Sequence, residues 1–206
     1  MTAIEPFGRG RPRSRRTHEA ILEATRSLLL EKGYPALTIE AVAARAGTAK
    51  TTVYRRWATK GALVLEATAD HLAIGIVPDS GSTRTDLEVA LRQLTATFSD
   101  RLAAIVMLAV IANLDEDPFM ARTFRTEIVY PWRMSAAAAL ERGVARGDLP
   151  PDADIPFLLD VIVGTVFQRA VINARSETDA LGEAILALVL GRQGHPASPS
   201  RAPGRP

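Results

Sequence analysis

The chain has 206 residues, of which 47% are hydrophobic, and a formal net charge of +2. This is enough apolar material for one large domain or two small ones. Cysteine is absent, which excludes disulfides, thiolate chemistry and cysteine-ligated zinc. The longest apolar run, residues 102–112, is shorter than the roughly 20 residues of a membrane span, and no apolar stretch of the signal-peptide type follows the N-terminal arginines. We therefore expect a cytoplasmic protein with no membrane segment.

Positive charge is concentrated at the front of the chain. Residues 1–60 contain 12 Lys and Arg against 5 Asp and Glu, whereas residues 61–206 contain 13 against 18. This asymmetry is typical of a region that binds a polyanion. The alternative is that five of the cations lie in a solvated tail, although the other seven still outnumber the acids.

The first 14 residues predict a disordered basic arm, because they are rich in Pro, Gly and Arg. The sequence RGRPR at residues 9–13 resembles the core of an AT-hook, which lies extended in the narrow minor groove of A·T-rich DNA. Three interpretations remain open: specific reading of that groove, non-specific attraction to phosphates, and a solvated tail.

A first helix is predicted from about Ser14 or Thr17 to Lys32, where Gly33 ends it. Its apolar stripe closes the core of a small helical unit. Arg15 stands near its start, where a cation is unfavourable for the helix dipole. An external phosphate is therefore a reasonable partner for Arg15.

Residues 38–57, TIEAVAARAGTAKTTVYRRW, have the pattern of a helix-turn-helix. Thr38 is a plausible N-cap for the first short helix, and Gly47 is the usual residue at a left-handed helix end. The second short helix begins near Ala49. Val53 and Trp57 share one of its faces, and donor-rich side chains occupy the others. The second helix of such a motif enters the DNA major groove.

This stretch, followed by Lys60 and Leu63, resembles the DNA-binding domain of the TetR family of transcriptional regulators. The resemblance covers roughly residues 15–66, and we expect the domain to span 15–62. One departure is Ala49, where the family usually has Ser at the N-cap of the recognition helix. The absence of the serine hydroxyl should cost about 1 kcal/mol of capping free energy, unless Thr48 takes over the cap.

Roles at the DNA follow from groove geometry and from the resemblance. Lys50 and Thr51, at the start of the recognition helix, are candidates for base contact. Thr52, Tyr54 and Arg55 are candidates for phosphate contact, and the resemblance places Tyr54 and Lys60 on the backbone. The full predicted DNA-binding set is Arg15, Thr38, Lys50, Thr51, Thr52, Tyr54, Arg55 and Lys60.

The sequence after the DNA-binding domain predicts an all-α body over residues 63–191 and a disordered tail over 192–206. One long helix is expected from near Thr59 to about residue 76, and another after it with Thr83 and Asp86 as a capping box. Residues 101–114 are apolar nearly all round and predict a buried helix. Asp117 and Pro118 then predict an N-cap and first turn, in a helix that Pro131 kinks and Gly147 ends.

The last two helices predict a dimer. Residues 155–174 are apolar on almost every face, so both sides need cover, and residues 177–190 carry a further apolar stripe. A four-helix bundle with a second copy, as in the dimers of the family, would cover them, and a two-fold dimer suits a palindromic operator. A monomer with a thick body is the alternative. The predicted interface residues are Leu158, Ile162, Val166, Leu181, Ile185 and Leu188.

We expect a repressor that a small hydrophobic molecule releases from its operator, with no cofactor and no metal. A ligand-independent regulator or an activator is the alternative. An enzyme is a remote one, because the sequence has no metal-ligand spacing, phosphate loop or nucleophile elbow. Arg169, among apolar neighbours, needs a partner such as Asp160 or an acidic ligand. The candidate ligand residues are Phe98, Met107, Asn113, Phe124, Trp132, Phe167 and Arg169.

Overall fold

The computed structural model describes residues 11–173 and 178–191. It is about 75% helical, and these residues include no strand, so the predicted all-α fold is confirmed. In chain order the helices are α1 (Arg11–Lys32), α2 (Ile39–Arg45), α3 (Lys50–Tyr54), α4 (Lys60–Ala67), α5 (Ala69–Leu72), α6 (Thr83–Ser99), α7 (Arg101–Ala112), α8 (Pro118–Phe124), α9 (Tyr130–Arg146), α10 (Ile155–Phe167) and α11 (Thr178–Val189). Two π-helical turns, Arg125–Val129 and Gln168–Ile172, follow α8 and α10.

By packing, the described residues form two compact units. The first takes the chain up to Gly75 together with Ala96–Trp132, and the second takes Ile76–Thr95 together with the described residues from Arg133 onward. The first unit thus contains the whole predicted DNA-binding domain. It also takes in helices that we had assigned to the body, because α1 packs on α7 and α4 packs on α8.

The core of the first unit follows the apolar stripe of α1. Ile21 and Leu29 are fully buried, as are Val42 of α2 and Val53 of α3. Burying a side chain of this size contributes about 1.5–3 kcal/mol to the free energy of unfolding. Helices as short as α2 and α3 are not stable alone, so this shared core holds them in place.

Helix α1 begins at Arg11, several residues before the predicted start. Residues 11–14, which we had assigned to the disordered arm, are therefore helical, and that part of the prediction is wrong. The rest of the arm, residues 1–10, lies outside the described residues, as does the predicted tail over 192–206.

The long helix predicted from Thr59 to about residue 76 is interrupted. Thr59 caps α4 as expected, because its hydroxyl accepts a hydrogen bond from the backbone N–H of Ala62 at 3.0 Å. The helix then breaks at Thr68, whose buried hydroxyl donates to the Val64 carbonyl at 2.7 Å. A threonine hydroxyl bonded in this way perturbs a helix, and the chain continues as the single turn α5.

The cap of α6 also differs from the prediction. Ser82, not Thr83, accepts from a first-turn backbone N–H, that of Thr85, at 3.3 Å. Asp86 is instead fully buried, accepts from the Ser80 N–H at 2.9 Å and faces Arg142. The spacing of Thr83 and Asp86 therefore marks the helix start correctly but assigns the wrong partners.

The region around Pro131 agrees with the expected helix distortion. Asp117 caps α8 by accepting from the Met120 N–H at 2.9 Å, with Pro118 in the first turn. A proline has no N–H to donate within a helix, and the π-helical turn Arg125–Val129 occupies the residues just before Pro131. Gly147 ends α9 with φ of +80°, in the left-handed region that glycine adopts without steric cost.

Helix α7 is less covered than the sequence predicts, and α10, for which the sequence predicts cover by a second copy, is little covered within this chain. In α7, Leu108 and Ile111 are 45% and 52% exposed, so this helix is buried on one side only. The stretch Ile155–Ile172 has a mean hydropathy of 1.7, but only 17% of it is buried. By length and composition it could cross a membrane, although the core helix of a soluble protein can have the same character.

Candidate nucleic-acid interface

The turn between α2 and α3 has the geometry that the sequence predicts. Thr38 caps α2 by accepting from the Ala41 N–H at 3.2 Å. At the other end Gly47 has φ of +62°, and the Thr48 N–H donates to the Ala43 carbonyl at 2.9 Å. This is the Schellman arrangement that ends a helix at a left-handed glycine. It fixes the direction in which α3 leaves α2.

Helix α3 is anchored by one apolar face. Val53 is fully buried, and Trp57, just after the helix, is 3% exposed, which confirms both as core residues. Ala49 is the N-cap, with extended backbone and no side-chain capping bond. Thr48 does not replace it, so the first turn of the recognition helix lacks a side-chain cap.

The other faces of α3 present donors to solvent. Lys50, Thr51, Tyr54 and Arg55 are exposed, and Thr52 is half-buried. The structure therefore brings the predicted contact residues of α3 onto one open surface. Whether each touches a base or a phosphate remains a prediction.

Lys50, our candidate base reader, has a partner within the chain. Its ammonium forms an ion pair with Glu40 of α2 and lies 5.5 Å from the centre of the Tyr54 ring. The hydrogen bond between Lys50 and Glu40 raises the pKa of Lys50 and lowers that of Glu40. Both groups are exposed, so the pair is weak and DNA can compete for it. Sequence reasoning missed Glu40, whose only signal is its position in the first turn of α2.

Three arginines are available for phosphates. Arg15 and Arg16 on α1 and Arg55 after α3 are exposed, and none has an ion-pair partner among residues 11–173 and 178–191. Arg45, by contrast, is held by Glu31. The prediction for Arg15 therefore stands on exposure as well as on its place near the start of α1.

Lys60 is not a free surface cation. Its ammonium donates to the Tyr34 carbonyl at 3.2 Å and lies 4.1 Å from the centre of the Tyr34 ring. Burial lowers its pKa, because desolvation disfavours the charged form. An ammonium has three donors, so a phosphate contact can coexist with the Tyr34 contact.

A polar network that the sequence did not predict joins α1, the end of α3 and α4. The Trp57 indole N–H donates to Glu66 at 2.7 Å, and the Glu66 carboxylate lies 3.2 Å from His18 Nε2. His18 stacks on Trp57 with ring centres 5.3 Å apart. Arg56 donates to the Ser14 hydroxyl at 2.8 Å. These contacts fix the C-terminal end of the recognition helix.

The candidate ligand residues belong to both units. Phe98, Met107 and Trp132 are buried and Asn113 and Phe124 half-buried in the first unit. Phe167 and Arg169 belong to the second unit. A groove of about 550 Å³ in the first unit is lined by other residues of α4, α5 and α8 and of the chain next to them.

The reason for selecting Arg169 is wrong. Its side chain is exposed, so it needs no buried partner. Asp160 accepts instead from Arg133 of α9 at 2.8 Å. The Gln168–Ile172 turn changes from α to π geometry, and the helical periodicity that placed Arg169 among apolar residues does not hold there.

The predicted dimer residues fall into two groups. Ile162, Val166 and Ile185 are buried within the chain, so they have no surface to offer a second copy, and their assignment is corrected. Leu158 and Leu181 are half-buried, and Leu188 is 68% exposed. Sequence reasoning missed Phe157, which is 61% exposed on α10, because it could not tell which face of an all-apolar helix is covered.

Two family models match the chain. One, described as bacterial regulatory proteins of the tetR family, matches residues 21–67, and the other, described as a tetracyclin repressor-like C-terminal domain, matches residues 77–189. The first covers the helix-turn-helix, and the second covers more than half of the chain. Together they indicate a transcription regulator and not an enzyme.

Two relatives are similar in sequence to this chain over most of their length. The HTH-type transcriptional regulator YdeS of Bacillus subtilis is 35% identical over 177 residues, which are 84% of this chain and 87% of the relative. The DNA-binding transcriptional repressor TetR of Mycobacteroides abscessus is 29% identical over 179 residues, 85% of this chain and 94% of the relative.

Solved structures show the same fold. The TetR family transcription regulator SCO0332 has a TM-score of 0.59 and 32% identity, over 85% of this chain and 97% of its own. The regulator FadR of Bacillus subtilis, in complex with stearoyl-CoA, has a TM-score of 0.66 at 20% identity, over 84% of this chain and 97% of its own, and this likeness concerns the fold alone. With both halves of the architecture matched, the chain belongs to the TetR family of transcriptional regulators.

Proposed function

We propose that this regulator is a cytoplasmic repressor that binds a palindromic operator as a homodimer and leaves it when a small hydrophobic molecule binds. The observation that carries the DNA part is the recognition helix itself. Its apolar face, Val53 and Trp57, is buried, so Lys50, Thr51 and Arg55 are held outward on a rigid support.

Each exposed donor has a distinct expected role. Lys50 and Thr51 stand in the first turn of α3, the part of a recognition helix that reaches base edges. Tyr54, Arg55 and Arg15 are suited to phosphates, because a phosphate contact needs an exposed donor and no base geometry. On binding DNA, the Lys50 ammonium would leave the Glu40 carboxylate and donate to a guanine acceptor instead. Because the ion pair with Glu40 is exposed and weak, opening it costs little free energy.

The DNA part is tested on the protein's own upstream DNA. Footprinting defines the operator, and fluorescence anisotropy then measures the dissociation constant of the wild type and of Lys50→Ala. We expect a loss of about 1–3 kcal/mol in binding free energy and a relaxed base preference at one position. Lys32→Ala, an exposed lysine at the far end of α1, is the matched control. Uniform weakening across all operator variants would instead assign Lys50 to a phosphate.

The dimer is supported by the open surfaces of α10 and α11. Phe157 and Ile172 are each more than half exposed on the stretch Ile155–Ile172, whose mean hydropathy is 1.7, and Leu188 of α11 is 68% exposed. Large apolar side chains left exposed on neighbouring helices are typical of an interaction site. A second copy of the chain would cover it and would also present two recognition helices to the two half-sites of a palindrome.

The oligomeric state is measured by light scattering after gel filtration. We expect the mass of two chains for the wild type, and a shift toward one chain for the double variant Phe157→Asp with Leu188→Asp, because two charges would be buried unpaired. A wild-type mass of one chain at micromolar concentration would refute the dimer.

The ligand part is supported by the family. FadR of Bacillus subtilis was solved in complex with stearoyl-CoA, so a protein of this fold can bind a molecule that carries a long apolar acyl chain. In the present chain Phe98, Met107 and Trp132 are buried apolar side chains in the first unit. A ligand changes operator affinity only if it binds two states of the protein unequally. The test is an operator titration with and without hydrophobic compounds, and unchanged affinity throughout would favour a ligand-independent regulator.

A further inference from the structure

The helix-turn-helix carries one acidic side chain among its cations. From Thr38 to Lys60 the sequence has a single Asp or Glu, which is Glu40. The cations of the same stretch are Arg45, Lys50, Arg55, Arg56 and Lys60. Glu40 lies exposed in the first turn of α2 and contacts the Lys50 ammonium at the start of α3. A carboxylate beside a base reader is repelled by the DNA phosphates, so it weakens binding unless the DNA offers it a donor.

The ion pair places a hydrogen-bond acceptor beside a donor. The Glu40 carboxylate can only accept hydrogen bonds, and the Lys50 ammonium can only donate them. The side chains of Lys50 and Glu40 are 50% and 60% exposed, so each can turn from the other to an outside partner. The Tyr54 ring, whose centre lies 5.5 Å from the ammonium, attracts the cation and keeps it near α3. The two charged groups therefore reach the same small area of the surface from two helices.

The major-groove edge of a G·C base pair has the complementary order. Guanine presents the acceptors N7 and O6, and the paired cytosine presents its N4–H donor next to O6. A T·A pair, with thymine in place of the guanine, repeats this order with thymine O4 and adenine N6–H, but adenine adds the acceptor N7 beside its amino group. A carboxylate bound to that amino group would bring its second oxygen near N7, and two acceptors repel. A lysine and a carboxylate side by side therefore fit G·C better than T·A.

We propose that Glu40 is a specificity-determining residue that accepts from the cytosine N4–H of the G·C base pair whose guanine accepts from Lys50. The inference rests on the proposed role of Lys50 at the operator and extends the reading to the second DNA strand. Once the ammonium has turned to the guanine, the cytosine amino group replaces it as the donor to the carboxylate. On other sequences Glu40 retains Lys50 and repels phosphates, so it lowers non-specific binding.

Base preference is measured by fluorescence anisotropy on operators that carry each of the four base pairs at every footprinted position. Lys50→Ala identifies the base pair that Lys50 reads. At that base pair the wild type should prefer G·C, and Glu40→Ala should reduce this preference about tenfold. Glu31→Ala is the matched control, because it also removes an exposed acid and breaks an ion pair between two helices, with Arg45. It should leave every base preference unchanged.

Glu40→Gln separates hydrogen bonding from charge. An amide can accept from adenine N6–H and donate to adenine N7, so this variant should raise the affinity for T·A relative to G·C about tenfold. A role confined to the helix dipole of α2 would change stability and no base preference, so urea unfolding of each variant accompanies the titrations. Wild-type base preference in both Glu40→Ala and Glu40→Gln would overturn the inference.

Non-specific DNA supplies an independent measurement. On a duplex without the operator, Glu40→Ala should bind more tightly than the wild type. The slope of log affinity against log salt should become steeper by about one, because the released Lys50 ammonium reaches a phosphate. An unchanged slope and affinity would contradict the retention of Lys50 by Glu40.

The outcomes distinguish this inference from the proposed function. The absence of any footprint, or a Lys50→Ala variant that weakens all operators equally, would contradict the proposed reading of a base by Lys50, and the inference would fall with it. A base preference that depends on Lys50 but not on Glu40 would overturn the role of Glu40 alone.

Discussion

The contact between α4 and α8 depends on the absence of one methyl group. Gly61 is buried in the first turn of α4. A Cβ atom at this position would lie 2.4 Å from Oδ2 of Asp117 and 2.8 Å from Cβ of Met120. Both distances are below any normal contact, and the second involves an atom fixed by the α8 backbone. Gly61→Ala therefore forces α8 away from α4.

The expected loss is the sum of three effects. Overpacking of a dense core typically costs about 1–3 kcal/mol. Displacement of the Asp117 carboxylate weakens its cap on the Met120 N–H, which adds about 0.5–2 kcal/mol. The higher helix propensity of alanine offsets up to about 1 kcal/mol. We expect Gly61→Ala to lower the free energy of unfolding by about 2 kcal/mol, or Tm by roughly 4–8 °C for a chain of this length.

Urea unfolding followed by far-UV circular dichroism measures this change. Asp117→Ala removes the carboxylate and supplies the control, because the two substitutions share one contact and should not be additive. Asp117→Ala should cost about 1 kcal/mol in the wild type and less in the Gly61→Ala background. An unchanged midpoint for Gly61→Ala, or strictly additive losses in the double variant, would refute the proposed clash.

Three further predictions concern the cap of α3, a buried carboxylate and the N-terminal arm. Ala49→Ser should raise the free energy of unfolding by about 1 kcal/mol by capping α3, whereas Ala58→Ser, at an exposed non-helical position, should not. Burial raises the pKa of Asp86, but hydrogen bonds from Ser80 and Arg142 lower this pKa by a larger amount, so it lies below its usual value. Asp86 therefore stabilises the fold above the unfolded-state pKa of about 4, and this contribution is lost as pH falls through the lower folded-state pKa. Asp86→Asn should flatten that acid dependence in urea unfolding, and a wild-type slope in the variant would contradict it. Removal of residues 1–10 should weaken operator binding and reduce its salt dependence, and a salt titration identical to that of the full chain would exclude a role for the arm.

Local chemistry explains what could be read from the sequence. Thr38, Thr59 and Asp117 cap the helices that the sequence assigns to them, and Gly47 and Gly147 end helices with positive φ. A cap or a left-handed glycine involves residues within four positions of each other, so its signal is contained in a short stretch of chain. The same holds for the buried face of α3, which the spacing of two apolar residues defines.

Only the tertiary structure decides which surfaces remain free and which charges are paired. The ion pair of Lys50 with Glu40, and the network that holds Trp57 through Glu66 and His18, join residues on different helices. The covered face of α10 is likewise set by its neighbours, because a helix that is apolar all round carries no signal of which side packs. The sequence alone was therefore sufficient for the helix caps, the glycine helix ends and the DNA-binding motif, whereas the break after α4, the ion pairs, the groove and the open faces required the packing of distant segments.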